Sequence, residues 1–205
     1  MVYSPPLFRG SGRRWVLGAV TGVAAGAVVA AGTAAAVSRG PAVPFGHLGP
    51  LAELAVRRIR LGDQVAAAKR STGAPVGDPV REREELARVR RQAAGIGLDP
   101  EVAARFFEDQ IEASKVVQRG LLERWRDHPD EVPAACQDLA AVRAELDALG
   151  QRLLYELAAT ERVRGAGPGC AVALSGARTA GVAVHRLDAL HREALGIALR
   201  SVCGA

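Results

Sequence analysis

The sequence predicts an all-α protein, a single helical domain of about five to six helices. Aromatic residues make up 4% of the 205-residue chain while Ala, Leu, Val and Arg dominate, a composition suited to helices packed through aliphatic side chains. Apolar residues recur at three- and four-residue spacing in the segments beyond residue 48. Helix-starting and helix-stopping residues punctuate those segments.

The first segment runs from about Leu48 to Arg70 and stops in the turn Ser71-Thr72-Gly73-Ala74-Pro75. The second runs from about Pro79 to Ala94 and is stopped by Gly95-Ile96-Gly97. The third opens on Asp99-Pro100-Glu101, with Asp as N-cap and Pro in the first helical position, and continues to about Asp127. A Pro-flanked connection, Pro129 to Pro133, leads to the fourth, from near Asp138 to about Arg164. Gly165-Ala166-Gly167-Pro168-Gly169 ends it. This cluster follows a helix and not a strand, so it is a connector and not a phosphate loop. The fifth covers about Ala171 to Ser201 as one segment.

Ahead of the domain (residues 48–203), residues 1–36 read as an export signal and 37–47 as a linker. Gly12-Arg13-Arg14-Trp15-Val16-Leu17, followed by an uncharged Ala-, Val- and Gly-rich run through Ser38, resembles a twin-arginine signal. Ala34-Ala35-Ala36 offers a small-residue cleavage site, and Pro41 and Pro44 mark the loop before the fold. The uncharged run also reaches the roughly 20 residues needed to span a bilayer. An uncleaved membrane anchor is therefore the alternative. In either form the chain is exported, periplasmic or secreted, and meets a membrane only through a retained leader.

The net charge of +5 is unevenly placed. Arg9, Arg13, Arg14 and Arg39 stand in the first forty residues without one acid, and beyond them 23 of the 27 cations face 22 acids. With no basic tail and no aromatic–basic interleaving, nucleic acid is not a partner this chain predicts. Export places the cysteines in an oxidising compartment. Cys170 and Cys203 flank the last segment and would close a long loop, whereas Cys136 reads as a free thiol. No Cys or His pair has metal-ligand spacing and His47, His128, His185 and His191 form no cluster, so neither metal nor cofactor is expected.

The chemistry is announced by cations where apolar side chains belong. Leu51, Leu54, Arg58, Leu61, Val65 and Lys69 fall on one face of the first segment, with Arg58 and Lys69 three turns apart. A charge pointed into a packing seam is expensive unless it meets an anion. Lysine is scarce, Lys69 and Lys115 being the two among 27 cations. In the third segment Phe107, Ile111, Ser114, Gln118, Leu121 and Trp125 form one stripe with two polar residues at its centre. Asp78, Arg81 and Glu85 share a face of the second segment, and Arg143 flanks the stripe Leu139, Leu146, Leu153, Leu157 of the fourth. Singly, each has a plain structural role: an arginine snorkels, a serine bonds back to its helix. Together they predict one pocket for a negatively charged small molecule, with Arg58, Lys69, Arg81 and Arg143 as cations and Ser114 and Gln118 as neutral donors.

These residues, with Asp63-Gln64-Val65-Ala66-Ala67-Ala68-Lys69 and Asp109-Gln110-Ile111, resemble the all-helical (type II) chorismate mutases. The leader, Arg143 within the same chain, and the Cys170/Cys203 spacing around His185-Arg186-Leu187-Asp188-Ala189-Leu190 fit their exported subclass. The resemblance implies a C-terminal helical segment braced by a disulfide, a homodimer, and conversion of chorismate to prephenate. That pericyclic step needs no nucleophile, metal or proton transfer, so positioning and preorganised electrostatics carry it. By the resemblance, Arg58, Arg81 and Arg143 grip the two carboxylates, Lys69 and Gln118 flank the ether oxygen, and Ser114 donates to a carboxylate. Asp78 or its backbone sits near the ring hydroxyl, with Glu82 as a second candidate there.

Exported relatives often carry Glu where Gln118 stands and Gln where Glu85 stands, so the two are exchanged here. An ionised Glu85 among carboxylate-binding arginines weakens binding unless it pairs with one of them. Two other readings compete. One is a catalytically silent envelope protein that binds an aromatic carboxylate or a protein partner, a descendant that should have lost Lys69. The other is a structural bundle with inward arginines in internal ion pairs, for which only Glu85 and Asp78 stand on the facing seams.

Overall fold

The computed structural model describes residues 46–133, 138–165 and 167–204. The export signal, nearly all of the linker, and Cys136 lie outside the described residues. Six helices form: α1 (Gly49–Thr72), α2 (Pro79–Gly95), α3 (Pro100–Asp127), α4 (Leu139–Ala159), α5 (Pro168–Val184) and α6 (Ala189–Ala198). Short 3-10 turns stand at Gly46–Leu48 and Pro129–Glu131, and no strand occurs among the described residues. No helix among the described residues is long and apolar enough to cross a membrane.

Local sequence sets the helix ends. Asp78, Asp99, Asp138 and Asp188 each accept a backbone N–H in the first turn of α2, α3, α4 and α6. Glu82 reaches back to the Asp78 N–H at 3.3 Å and makes that cap reciprocal. Gly73 closes α1 with φ of 69°, the left-handed conformation a glycine adopts without strain.

Two expected boundaries move. The fourth segment ends at Ala159 and not Arg164: Thr160 caps it, and buried Arg164 folds back so that its Nε donates to the Leu157 carbonyl at 3.1 Å. The expected fifth segment is two helices, α5 and α6. Arg186 turns left-handed at φ 47°, and Asp188 then starts α6 by accepting the His191 N–H at 2.9 Å.

α1 runs through the middle of the fold and packs on α3, α4, α5 and α6, while α2 and α6 lie against α3. Leu51, Ile59, Phe106, Phe107, Leu153, Leu157 and Leu195 fill the core. Gly62 lets α1 approach α3 closely; a Cβ there would stand 3.3 Å from Val117 Cγ1. This approach sets Lys69 of α1 opposite Ser114 and Gln118 of α3.

The C-terminal part is tied down at several points. Cys170 and Cys203 form a disulfide across 33 residues, worth ~4 kcal/mol in the loop-entropy account. Asp109 accepts the Ser201 N–H at 3.0 Å and pairs with Arg200, and Gln110 Nε2 donates to the Ala198 carbonyl at 2.7 Å. The Asp109-Gln110 pair of the third-helix motif thus faces the C-terminal brace and not the pocket.

His191 bridges α6 to α1. Its Nε2 lies 2.8 Å from Asp63 and its Nδ1 2.7 Å from Asp188, with Arg60 3.9 Å from Asp63 and Arg124 3.9 Å from Asp188. The bond to Asp63, more than burial opposes it, raises the imidazole above its ordinary value, and Asp188 adds to the rise. A raised folded value means the bridge stabilises fully below the unfolded value of ~6.5 and is lost as pH rises through the folded one. The melting temperature of the parent should therefore fall between about pH 6 and about pH 9 by a few degrees more than that of His191→Gln. Parallel curves would refute the linkage.

Candidate active site

A cavity of about 220 Å³ opens between α1, α2, α3 and α4. All eight residues expected in the pocket line it: Arg58, Lys69, Asp78, Arg81, Glu85, Ser114, Gln118 and Arg143. They are graded in depth. Arg58 and Gln118 are buried, Lys69, Glu85 and Ser114 are half-buried, and Asp78, Arg81 and Arg143 are exposed. Val65, Ile111 and Leu146 supply apolar wall.

The buried end is preorganised. Arg58 Nη1 donates to the Leu146 carbonyl at 3.1 Å, and its guanidinium lies over the Phe107 ring, 5.7 Å from the centroid. Its buried Nε has no hydrogen-bond partner among the described residues. Burial pushes this cation below its ordinary range, and Glu85 opposes that most. Gln118 Nε2 donates to Ser114 Oγ at 3.0 Å, one turn away, and its buried Oε1 is unpartnered among the described residues. The amide is thus held at one end and uncommitted at the other.

Lys69 Nζ donates to the Val76 carbonyl at 2.7 Å, which pins the α1–α2 connection over the site. Burial lowers its pKa, with Arg143 and Arg81 adding to the fall and Asp78 and Glu82 opposing it. An ammonium with one of its three protons on Val76 keeps two for a ligand.

The acids decide what the cavity can bind. Four line it: Asp78, Glu82 and Glu85, all expected near the substrate, and Asp147, which was not. Asp78 accepts the Arg81 N–H at 3.1 Å as a helix cap. Glu82 takes Lys115 at 3.2 Å, and both Glu85 and Asp147 are held by Arg88. Glu85 therefore pairs with a cation outside the site. Among the described residues no carboxylate forms an ion pair with Arg58, Lys69, Arg81 or Arg143. A structural bundle with its inward arginines paired internally is not what the chain builds.

Sequence reasoning missed Val76, Lys115, Asp147 and Arg88. Lys115 was detectable as the second of two lysines, next to Ser114. Val76 contributes only a backbone carbonyl, which no side-chain pattern reveals. A larger hollow of about 340 Å³, lined among others by Arg57, Arg60, Gln64, Arg152 and His185, contains none of the eight. There Arg57 and His185 share Glu53, at 3.1 and 2.6 Å, and Arg60 donates to the His185 carbonyl. Its cations are largely committed, so the smaller cavity is the candidate site. Among the described residues no group of three His, Cys, Asp or Glu side chains is arranged to hold a metal.

Fold and site define a class: an all-helical protein with a cationic cavity between four of its helices. The family model for chorismate mutase type II matches residues 50–119, which spans α1, α2 and most of α3. The chain is 31% identical over 159 residues to a secreted chorismate mutase of Mycobacterium tuberculosis, covering 78% of this chain and 79% of that protein. A secreted chorismate mutase of Mycolicibacterium smegmatis is 31% identical over 156 residues, covering 76% and 86%. The crystal structure of chorismate mutase from Burkholderia phymatum superposes with a TM-score of 0.74 at 33% identity, over 80% of this chain and 99% of that one. The chain belongs to the chorismate mutase family.

Proposed function

We propose that this chain works outside the cytoplasm as a chorismate mutase, rearranging chorismate to prephenate in the cavity between α1 and α4. One observation supports this above the rest: four cations line the cavity without an acid partner among the described residues, while each acid beside them is engaged elsewhere. A dicarboxylate satisfies that imbalance.

The rearrangement breaks an ether C–O bond and forms a C–C bond in one ring of moving electrons, so no group of the protein enters the bonding. The protein holds a folded conformer and stabilises the negative charge growing on the ether oxygen. Lys69 takes the role of charge stabiliser with the protons Val76 leaves it. Gln118 donates from the other side with the second proton of Nε2, the first staying on Ser114 Oγ, which leaves the Ser114 hydroxyl proton for a carboxylate. Arg58, Arg81 and Arg143 grip the carboxylates through planar forks, and Ser114 adds a neutral donor. Asp78 or its backbone, or Glu82, receives the ring hydroxyl. Residues 1–36 act as the export signal and are cleaved, and the mature domain forms a homodimer.

One preparation tests these points: the full chain expressed in a bacterial host and recovered from outside the cytoplasm. Its mass reports removal of the leader, light scattering reports the dimer, and loss of chorismate absorbance reports the reaction. A folded, disulfide-bonded product that leaves chorismate unchanged overturns the enzymatic reading.

A further inference from the structure

We propose that Arg88 is a positioning residue that keeps two acids of the cavity wall off the substrate-binding cations. Glu85 on α2 and Asp147 on α4 both line the cavity, whereas Arg88 does not. Arg88 Nη2 nevertheless holds both, pairing with Glu85 Oε2 one helical turn back and with Asp147 Oδ1 at 2.7 Å across to α4. One guanidinium thus pairs with an acid from each of two helices and offsets one of their two charges. The proposal rests on the mutase reading for its substrate, but the geometry is this chain's own.

The need for such a clamp follows from what stands beside it. Arg58 is buried in the field of Glu85, Arg88 and Asp147, and its Nε is unpartnered among the described residues. With Arg88 removed, two ionised carboxylates line the wall next to a guanidinium that has hydrogen-bonding capacity to spare. They either capture the Arg58 fork or repel a dianionic substrate, and in a partly desolvated cavity both effects exceed their size in water. With Arg88 present, a glutamate at this position is compatible with anion binding.

A plain structural tie between α2 and α4 would have a different signature, and a mutant cycle separates the two. Arg88→Gln is made in the parent and in a Glu85→Gln/Asp147→Asn background, with Arg88→Lys as the charge-conserving variant. Calorimetry gives the Kd for prephenate as the dicarboxylate probe, chorismate kinetics give KM and kcat, and melting temperature reports the tie. In the parent background Arg88→Gln should raise Kd and KM about 10-fold or more while kcat changes less than about 3-fold. In the neutralised background the same substitution should change Kd less than about 3-fold. Arg88→Lys should fall between. Equal effects in the two backgrounds, or a parent-background Kd within about 2-fold, would overturn the proposal. Parent protein that binds prephenate without turning over chorismate would sink the mutase reading and leave the Kd cycle to decide Arg88. No prephenate binding by the parent overturns both.

Discussion

Lys69→Ala should lose chorismate turnover by on the order of 10³-fold in kcat and remain folded. The size follows from what the side chain supplies: a formal charge in a half-buried cavity, aimed where negative charge develops and not where it already sits in the substrate. Such an interaction is stronger in the transition state than in the ground state, so the loss falls on kcat more than on KM. The fold loses one hydrogen bond, from Nζ to the Val76 carbonyl, about 0.5–1.5 kcal/mol against an α1 that is otherwise buried on several sides. The melting temperature should thus drop by only a few degrees. Lys69→Arg should not rescue, because a planar fork cannot place a compact charge on one oxygen while still reaching Val76. A variant that keeps even a tenth of the parent kcat would remove Lys69 from the chemistry.

The same lysine sets an alkaline limit. Burial lowers its pKa, with Arg143 and Arg81 adding to the fall and Asp78 and Glu82 resisting it. Because the free protein's titration governs kcat/KM, the parent profile should fall on the alkaline side below the usual lysine range of ~10.4.

How much of this was legible in the residues depends on whether a residue departs from its local background. Arg58 and Lys69 stand at positions where helical spacing calls for leucine, so position alone exposes them, as it does Ser114 and Gln118 within an aromatic–aliphatic stripe. Asp99 was legible as a cap because an acid before a proline is a local signal, and Asp78 carries the same signal beside its place in the pocket. Arg88 was not legible: an arginine three residues after a glutamate looks like an ordinary surface pair, and the cross-helix acid that completes its role is fifty-nine positions away. Nor was the break between α5 and α6, where Leu187 and Leu190 continue an apolar spacing that the Asp188 cap interrupts. Asp109 and Gln110 match the family motif, but they brace the C-terminus through Ser201 and Ala198, a role that depends on a segment about ninety residues later.

Gln118→Glu should convert a nearly pH-independent enzyme into an acid-dependent one. The parent donor at this position is an amide, which carries its protons at every pH, so kcat/KM should stay nearly flat from about pH 5 to about pH 8. A carboxyl donates only while protonated. At this buried site desolvation raises its pKa, while Lys69 and Arg58 pull it down. Above whatever value results, kcat/KM of the variant should fall about tenfold for each pH unit, and below it the rate should recover toward the parent's. Ionised, the new carboxylate faces Lys69 and Ser114; it ties up the ammonium that serves the ether oxygen and repels the charge growing there. Loss of rate near neutrality should therefore exceed that of Gln118→Ala, which removes a donor without adding a charge. If the variant profile is as flat as the parent's, Gln118 does not contact the reacting oxygen. If the parent itself loses rate steeply between about pH 5 and about pH 8, a titrating group outside this set governs the step.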